Sequence, residues 1–211
     1  MFTHSPGWVL RRYRDGRSAV PEGEVLRHVH ALGYPVPELA SVDGPDLVMR
    51  RVDGPTLAEA LLDGQVPVAT TGELLAGLHD RLHALAWPGG EALLHLDLHP
   101  QNVIMATEGP VVIDWSNARP GPAGLDVAVT ALILGMVAVV PSIAGASPEL
   151  DELVAAVGHG LLAAFAGAVA TPYTDHLDAA VALRAADRNT SPTERDALPE
   201  VAALARRSAA Q

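Results

Sequence analysis

The chain has 211 residues, hydrophobic residues at 49% of positions and a formal net charge of −11, which excludes a disordered tail and leaves room for one or two small domains with a sizeable core. The acidic balance sets nucleic acid aside as a partner and is compatible with a cationic substrate, although solubility alone accounts for it. The absence of cysteine excludes disulfides and thiol catalysis, and no basic segment followed by an apolar core opens the chain, so a cytoplasmic location is expected.

The first clear element is a strand in Trp8-Val9-Leu10-Arg11-Arg12-Tyr13. Alternate side chains share a face, so Val9 and Arg11 lie together. A helix is predicted from about Glu22 to Leu32, stopped by Gly33 and Pro35-Val36-Pro37. Strands follow near 38–42 and 46–51, with Asp43-Gly44 turning between them. Asp53-Gly54-Pro55 reads as a hinge, and Thr56 as the N-cap of a short helix. These signals divide the chain into a small unit, 1–52, and a mainly helical one, 53–211.

The second part opens with a helix from about Val68 to Leu85, marked by the stripe Leu74, Leu75, Leu78, Leu82 and Leu85. A loop and a small β-pair come next, then helices over about 124–140, 148–170, 174–189 and 193–208, with Ser147 and Thr193 as candidate N-caps. The last of them is polar enough to lie on the surface. Val127 to Ala146 carries no charge. Pro141 interrupts it and leaves about fourteen helical residues, short of a membrane span, so a buried helix is expected.

The chemistry concentrates in His95-Leu96-Asp97-Leu98-His99-Pro100-Gln101-Asn102 and in Val111-Val112-Ile113-Asp114-Trp115. Asp97 is placed to orient a hydroxyl and accept its proton. Asn102 and Asp114 supply hard oxygens of the kind Mg²⁺ prefers, Asp114 from the end of a short apolar strand. A lone Asp or Asn in a loop is usually a turn or cap residue; the ordered set of loop, Asn, strand and Asp is far rarer by chance. A rival reading gathers His79, His83, His95, Asp97 and His99 into a zinc cluster. It lacks H-E-x-x-H and any cysteine, and the histidines border the leucine stripe.

These residues resemble the aminoglycoside phosphotransferase and choline kinase family, small-molecule relatives of protein kinases. The likeness runs from Val9 to about Val140. It takes in Glu22 to Pro37 as the family's helix C and strand entry, Asp46 to Leu57 as strand and hinge, Leu78 to His83 as the helix before the catalytic loop, and Leu125-Asp126-Val127-Ala128 as the later Asp. The resemblance implies an α+β, two-lobed kinase-like fold with a shortened first lobe and a helical second lobe. It implies an ATP- and Mg²⁺-dependent enzyme acting on a small-molecule hydroxyl. Asp97 would be the catalytic base, and Asn102 and Asp114 the metal ligands. His95 would orient the loop, Asp126 would brace it, and the backbone of Arg50, Arg51 and Val52 would meet the adenine. In relatives the helices after the metal strand form the acceptor pocket; here Glu149, Asp151, Glu152, Asp175, Asp178 and Asp187 stand in that region, where a solvated face is the commoner role.

Two departures stand out. All fourteen basic residues are Arg, so Arg11 is assigned to the phosphates with Glu22 as partner, and Arg12 with Glu24 is the shifted alternative. A solvent-facing cluster of Arg11, Arg12, Arg14 and Arg17 is the non-functional reading. Only seven residues precede Trp8, too few for the glycine-rich loop and its two flanking strands, since one strand takes about five residues. The chain therefore reads as N-terminally truncated, and a catalytically weak or inactive kinase-like binding protein is the alternative function. If the 211-residue form is the whole product, weak ATP affinity and slow basal turnover are expected. Calorimetric binding as tight as that of full-length relatives would contradict this.

Overall fold

The alternation read from Trp8 to Tyr13 becomes strand β2 (Trp8–Arg12), second in a four-stranded antiparallel sheet ordered β1–β2–β4–β3. The other strands are β1 (Phe2–Ser5), β3 (Leu39–Asp43) and β4 (Asp46–Arg50). The structure, a computed structural model, describes residues 2–140 and 147–210. The strand β1 was not read from the sequence: four residues pair Phe2 with Leu10 and Thr3 with Val9, turning through Pro6 and Gly7. Helix α1 (Val20–Ala31) starts on Pro21, whose fixed φ suits a first helical turn, and buries Glu22, Val25, Leu26 and Val29.

Contacts divide the chain into Met1–Ala60 with Pro100–Ala118, and Leu61–His99 with Arg119–Gln211. The expected break at residue 52 is not where this division falls, and the reason is local. Strands β6 (Val103–Ala106) and β7 (Gly109–Val112) form a hairpin that packs on the hinge segment. The Met105 N–H donates to Pro55 O at 2.8 Å, and Thr56 bridges to Ile104. Gly54 makes this approach possible. Its φ is +148°, and a Cβ there would stand 2.3 Å from Met105 O. The Val112 N–H donates to Pro35 O at 2.8 Å, tying the same hairpin to the segment after α1. Thr56 caps the short helix α2 (Leu57–Leu62) as expected, exchanging side-chain and backbone bonds with Glu59.

The second unit holds α3 (Val68–His83), the paired three-residue strands β5 (Ala92–Leu94) and β8 (Arg119–Gly121), and helices α4 (Ala123–Val139), α5 (Pro148–Ala168), α6 (Leu177–Ala186) and α7 (Pro192–Ser208). The helix α4 is apolar around most of its circumference, as suits an interior helix, and packs against α3, α5, α6 and α7. Leu132 and Leu134 are fully enclosed, each burial worth about 1.5–3 kcal/mol. The charge-free run expected to form a buried helix does so through Val139; Pro141 and the remainder of 141–146 lie outside the described residues. Among the described residues one helix, α5, is long and apolar enough to cross a membrane by length and composition. It packs against α3 and α4, burying Gly158, Leu161, Leu162 and Phe165.

Two expectations are corrected. The N-cap of α7 is Ser191, not Thr193: Pro192 takes the first helical position, and Glu194 returns a bond to the Ser191 N–H in a complete capping box. The same helix is not simply a surface element, because Leu198, Val201, Ala202 and Ala205 are buried along one face. Ser147 caps α5 as expected, accepting from the Leu150 N–H.

Candidate active site

In the first unit, the face of β2 that carries Val9 and Arg11 lines a cavity of about 370 Å³. Val9, Met49, Ile104 and Ile113 form its apolar walls, and the segment Arg50–Val52 lines it as well. The side chains of Arg50 and Arg51 are engaged elsewhere: Arg50 lies over the Trp8 ring at 5.5 Å, and Arg51 Nε donates to Asp53 at 2.8 Å. The polar end of the cavity is Arg11, Glu22 and Asp114. Such a volume and such a mixture suit a small-molecule ligand with an apolar body and a charged end.

Arg11 sits between two carboxylates. Its Nη1 donates to Glu22 Oε1 at 2.6 Å and its Nη2 to Asp114 Oδ1 at 2.6 Å. Arg12, one residue on, faces the other way and pairs with Asp46 at the exposed edge, while Glu24 is exposed. Strand alternation thus separates the two candidates, and the Arg11–Glu22 pair is the one that forms. Glu22 is buried and serves several donors: Oε1 also accepts the Trp115 N–H at 3.2 Å, and Oε2 accepts the Tyr13 hydroxyl. Burial pushes the Glu22 carboxyl above its usual value, against the opposing pull of Arg11 and Tyr13. The Arg11 guanidinium loses solvation by burial, yet Glu22 and Asp114 hold its proton more tightly than usual.

Asp114 follows β7 with φ +62°, a left-handed conformation that Asp tolerates better than most residues. Its Oδ1 accepts the Ser116 hydroxyl at 2.8 Å besides Arg11, and the side chain is 40% exposed. The Ile113 N–H donates to Asn102 O at 3.0 Å, so Asn102 and Asp114 come to the same end of the β6–β7 hairpin. Trp115 is buried, donates from Nε1 to Val112 O and meets Tyr34 edge-on at 5.6 Å. The sequence analysis left Tyr13 out of this network, although it stands two residues from Arg11, just past the end of β2.

In the second unit, Asp97 belongs to a loop held by one buried carboxylate. Asp126, in the first turn of α4, accepts the His95 N–H at 2.9 Å through Oδ2 and the Leu96 N–H at 2.6 Å through Oδ1. Leu96 has φ +63°, a conformation that costs a non-glycine residue roughly 1 kcal/mol or more. The Asp126 clamp holds that strain immediately before Asp97. On the other side of Asp97, the Thr130 hydroxyl donates to Leu98 O at 2.8 Å. Thr130 has spent its proton there, so its oxygen accepts from His79 Nε2, 2.8 Å away. Asp126 and Thr130 are four apart on α4, which puts both on one helical face. Asp97 Oδ1 has His99 Nε2 at 3.8 Å and Arg184 Nη1 at 3.9 Å.

The zinc reading meets a different set from the one expected. His79, His83 and Asp126 bring ligand atoms within 4.8 Å of one another, without His95, Asp97 or His99 in the group. His83 Nε2 lies 3.0 Å from Asp126 Oδ2, and His79 Nδ1 3.5 Å from it. Both Asp126 oxygens already accept backbone N–H groups, so a cation there would compete with the clamp. Burial alone would raise the Asp126 carboxyl, but the neighbouring His79 and His83 imidazoles hold it far below the usual carboxylate range.

Comparison with known proteins fits this arrangement. A family model described as "RIO domain" matches residues 9–120, more than half of the chain, and one described as "Phosphotransferase enzyme family" matches residues 72–173. The chain belongs to the RIO domain family. The phosphotransferase resemblance read from the sequence is borne out by the second match, over just under half of the chain, and the RIO match covers most of the first unit. Among solved structures, the ADP-bound aminoglycoside phosphotransferase APH(2'')-Ib superposes with a TM-score of 0.56 at 13% identity, over 95% of this chain and 86% of that one. An aminoglycoside-3'-phosphotransferase of type VIII gives 0.48 at 19% identity, over 94% and 84%. The first of these carries the fold assignment: the chain has the expected kinase-like α+β architecture. A probable serine/threonine-protein kinase PkwA of Thermomonospora curvata is 35% identical over 81 residues, 38% of this chain, which spans only 10% of that relative.

Proposed function

We propose that this phosphotransferase moves the γ-phosphoryl group of ATP to the hydroxyl of a small molecule, in the cytoplasm and with Mg²⁺. The observation that carries the reading is the Arg11–Glu22–Asp114 network at the polar end of an apolar cavity. An adenine ring suits the walls formed by Val9, Met49, Ile104 and Ile113, with the backbone of Arg50–Val52 beside it. Arg11 then meets the phosphates, its fork gripping oxygens where a lysine would offer a point charge. Asn102 and Asp114 fit a magnesium ion: both are hard-oxygen side chains brought to one end of a hairpin, and Asp114 is partly open. They would hold Mg²⁺, which offsets the charge of the transferring phosphate when bound. Asp97 orients the acceptor hydroxyl and takes its proton, and Asp126 fixes the loop that presents it.

Asp114→Ala is expected to abolish Mg²⁺-dependent nucleotide binding, with only a modest fall in the unfolding midpoint from the left-handed backbone and the lost Arg11 contact. Isothermal calorimetry with ATP, with and without Mg²⁺, reads this directly. Nucleotide affinity of the variant equal to the parent's in Mg²⁺ would remove Asp114 from the site. A second reading, a kinase-like binding protein with little turnover, is favoured by one contact: Arg11 already occupies Asp114 Oδ1 at 2.6 Å, where a cation would have to compete. Tight ATP binding that ignores Mg²⁺, with no ADP release in the presence of any acceptor, would support it. The PkwA match brings in protein acceptors, which a generic protein substrate in the same ADP-release assay tests.

A further inference from the structure

The two carboxylate oxygens of Glu22 are used differently. Oε1 accepts from Arg11 Nη1 at 2.6 Å and from the Trp115 N–H at 3.2 Å, while Oε2 accepts the Tyr13 hydroxyl. A guanidinium facing a carboxylate frequently takes both oxygens in a parallel, two-bond fork. Arg11 does not. It gives Glu22 one bond, and its Nη2 goes to Asp114 Oδ1 at 2.6 Å, at the polar end of the cavity. The donor that holds the second Glu22 oxygen is Tyr13.

Tyr13 is itself held in place. Its N–H donates to Pro45 O at 3.0 Å, just past the end of β2. The Arg17 guanidinium lies over its ring, 4.1 Å from the centroid, and that of Arg11 lies 5.4 Å from it. Burial, and then the Glu22 carboxylate, raise the Tyr13 hydroxyl above its ordinary value, so it keeps the proton it donates. The Glu22 side chain is only 3% exposed, which leaves little room for water to replace a lost donor. A buried carboxylate oxygen without a donor is costly, and Arg11 is the donor at hand.

We infer that Tyr13 is a positioning residue for nucleotide binding: by occupying Glu22 Oε2 it limits the Arg11–Glu22 pair to one hydrogen bond and leaves Arg11 Nη2 for the phosphates. The inference rests on the nucleotide reading proposed above and adds the residue that aims its phosphate-gripping side chain. The requirement is peculiar to arginine at this position. An ammonium is a point charge with rotating donors and cannot be captured by a fork, so a lysine there needs no such partner. Removing the Tyr13 hydroxyl lets the guanidinium close on both oxygens of Glu22 and takes Nη2 off the polar end of the cavity.

The test is calorimetric binding of Mg²⁺-ATP to four forms of the full chain: the parent, Tyr13→Phe, Arg11→Lys and the double variant. Tyr13→Phe should weaken binding about tenfold, the loss of one charge-assisted hydrogen bond. In the Arg11→Lys background the same change should alter affinity by less than about twofold, the scatter of uncoupled sites. A crystal structure of unliganded Tyr13→Phe should show Arg11 on both Glu22 oxygens and no longer on Asp114. Equal losses in the two backgrounds overturn the inference, because a merely structural tyrosine acts on either side chain alike, and they leave the nucleotide reading standing. So does parent-like affinity of Tyr13→Phe, or an Arg11 that stays on Asp114 in that variant. A parent that binds no Mg²⁺-ATP sinks both.

Discussion

Replacing Asp97 with Asn is expected to lower turnover by about 10³-fold, within the 10²–10⁴ range that a positioned proton acceptor supplies. The amide has the shape of the carboxylate and loses only its capacity to take a proton. Asp97 is not among the residues lining the proposed nucleotide cavity, so ATP affinity by calorimetry should stay within a factor of two or so. The loop around the substitution is fixed through backbone groups: the His95 and Leu96 N–H groups on Asp126 and the Leu98 carbonyl under Thr130. None of those bonds uses the Asp97 side chain, and its ion pairs with His99 and Arg184 are long, so the unfolding midpoint should move little. Parent-like phosphorylation of an accepted substrate by the variant would end the assignment of Asp97.

Much of this arrangement could be read from the chain because it rests on local rules. Strand alternation and the family resemblance favoured Arg11 over Arg12 without excluding the latter, and the pair that forms is Arg11 with Glu22. Capping chemistry placed Thr56 and Ser147 correctly. It failed at Thr193, because a Ser-Pro pair two residues earlier offered a better start with Glu194 completing the box. The strand β1 escaped notice because four residues give too short a pattern to show a period, and its existence depends on the edge that β2 offers. The boundary between compact units was legible as a hinge but not as a contact map. What draws 53–60 to the β6–β7 hairpin is a glycine with room for Met105, and no periodicity reports that. The contacts made at long sequence separation were hardest to foresee. Nothing near Arg184 in the sequence says that it ends beside Asp97, and Thr130 looks like an unremarkable polar position in an apolar helix until Leu98 is seen against it.

Asp126 is where the largest loss of stability is expected, and Asn is the informative replacement. The carboxylate accepts on both oxygens: Leu96 N–H on Oδ1, and His95 N–H with His83 Nε2 on Oδ2. An amide can accept on one side only. Whichever way it turns, its NH₂ group faces a backbone N–H in a fully buried site, and that donor is left without a partner. A cost of about 3–5 kcal/mol follows, comparable with removing one member of a buried charged pair. The strained Leu96 would relax from φ +63° once its N–H is released, and Asp97 would move with it. Turnover and urea midpoint should therefore fall together, unlike Asp97→Asn, where only turnover falls. Acid titration supplies an independent reading. The folded carboxyl lies well below the ordinary value of about 4, so its contribution is complete above that pH and is lost only as pH drops further toward the folded value. The parent should accordingly lose stability steeply below about pH 4, and Asp126→Asn, starting lower, should show a flatter acid limb because it has no such proton to take up. An acid limb of equal steepness in the two proteins would show that the buried clamp is not what acid undoes.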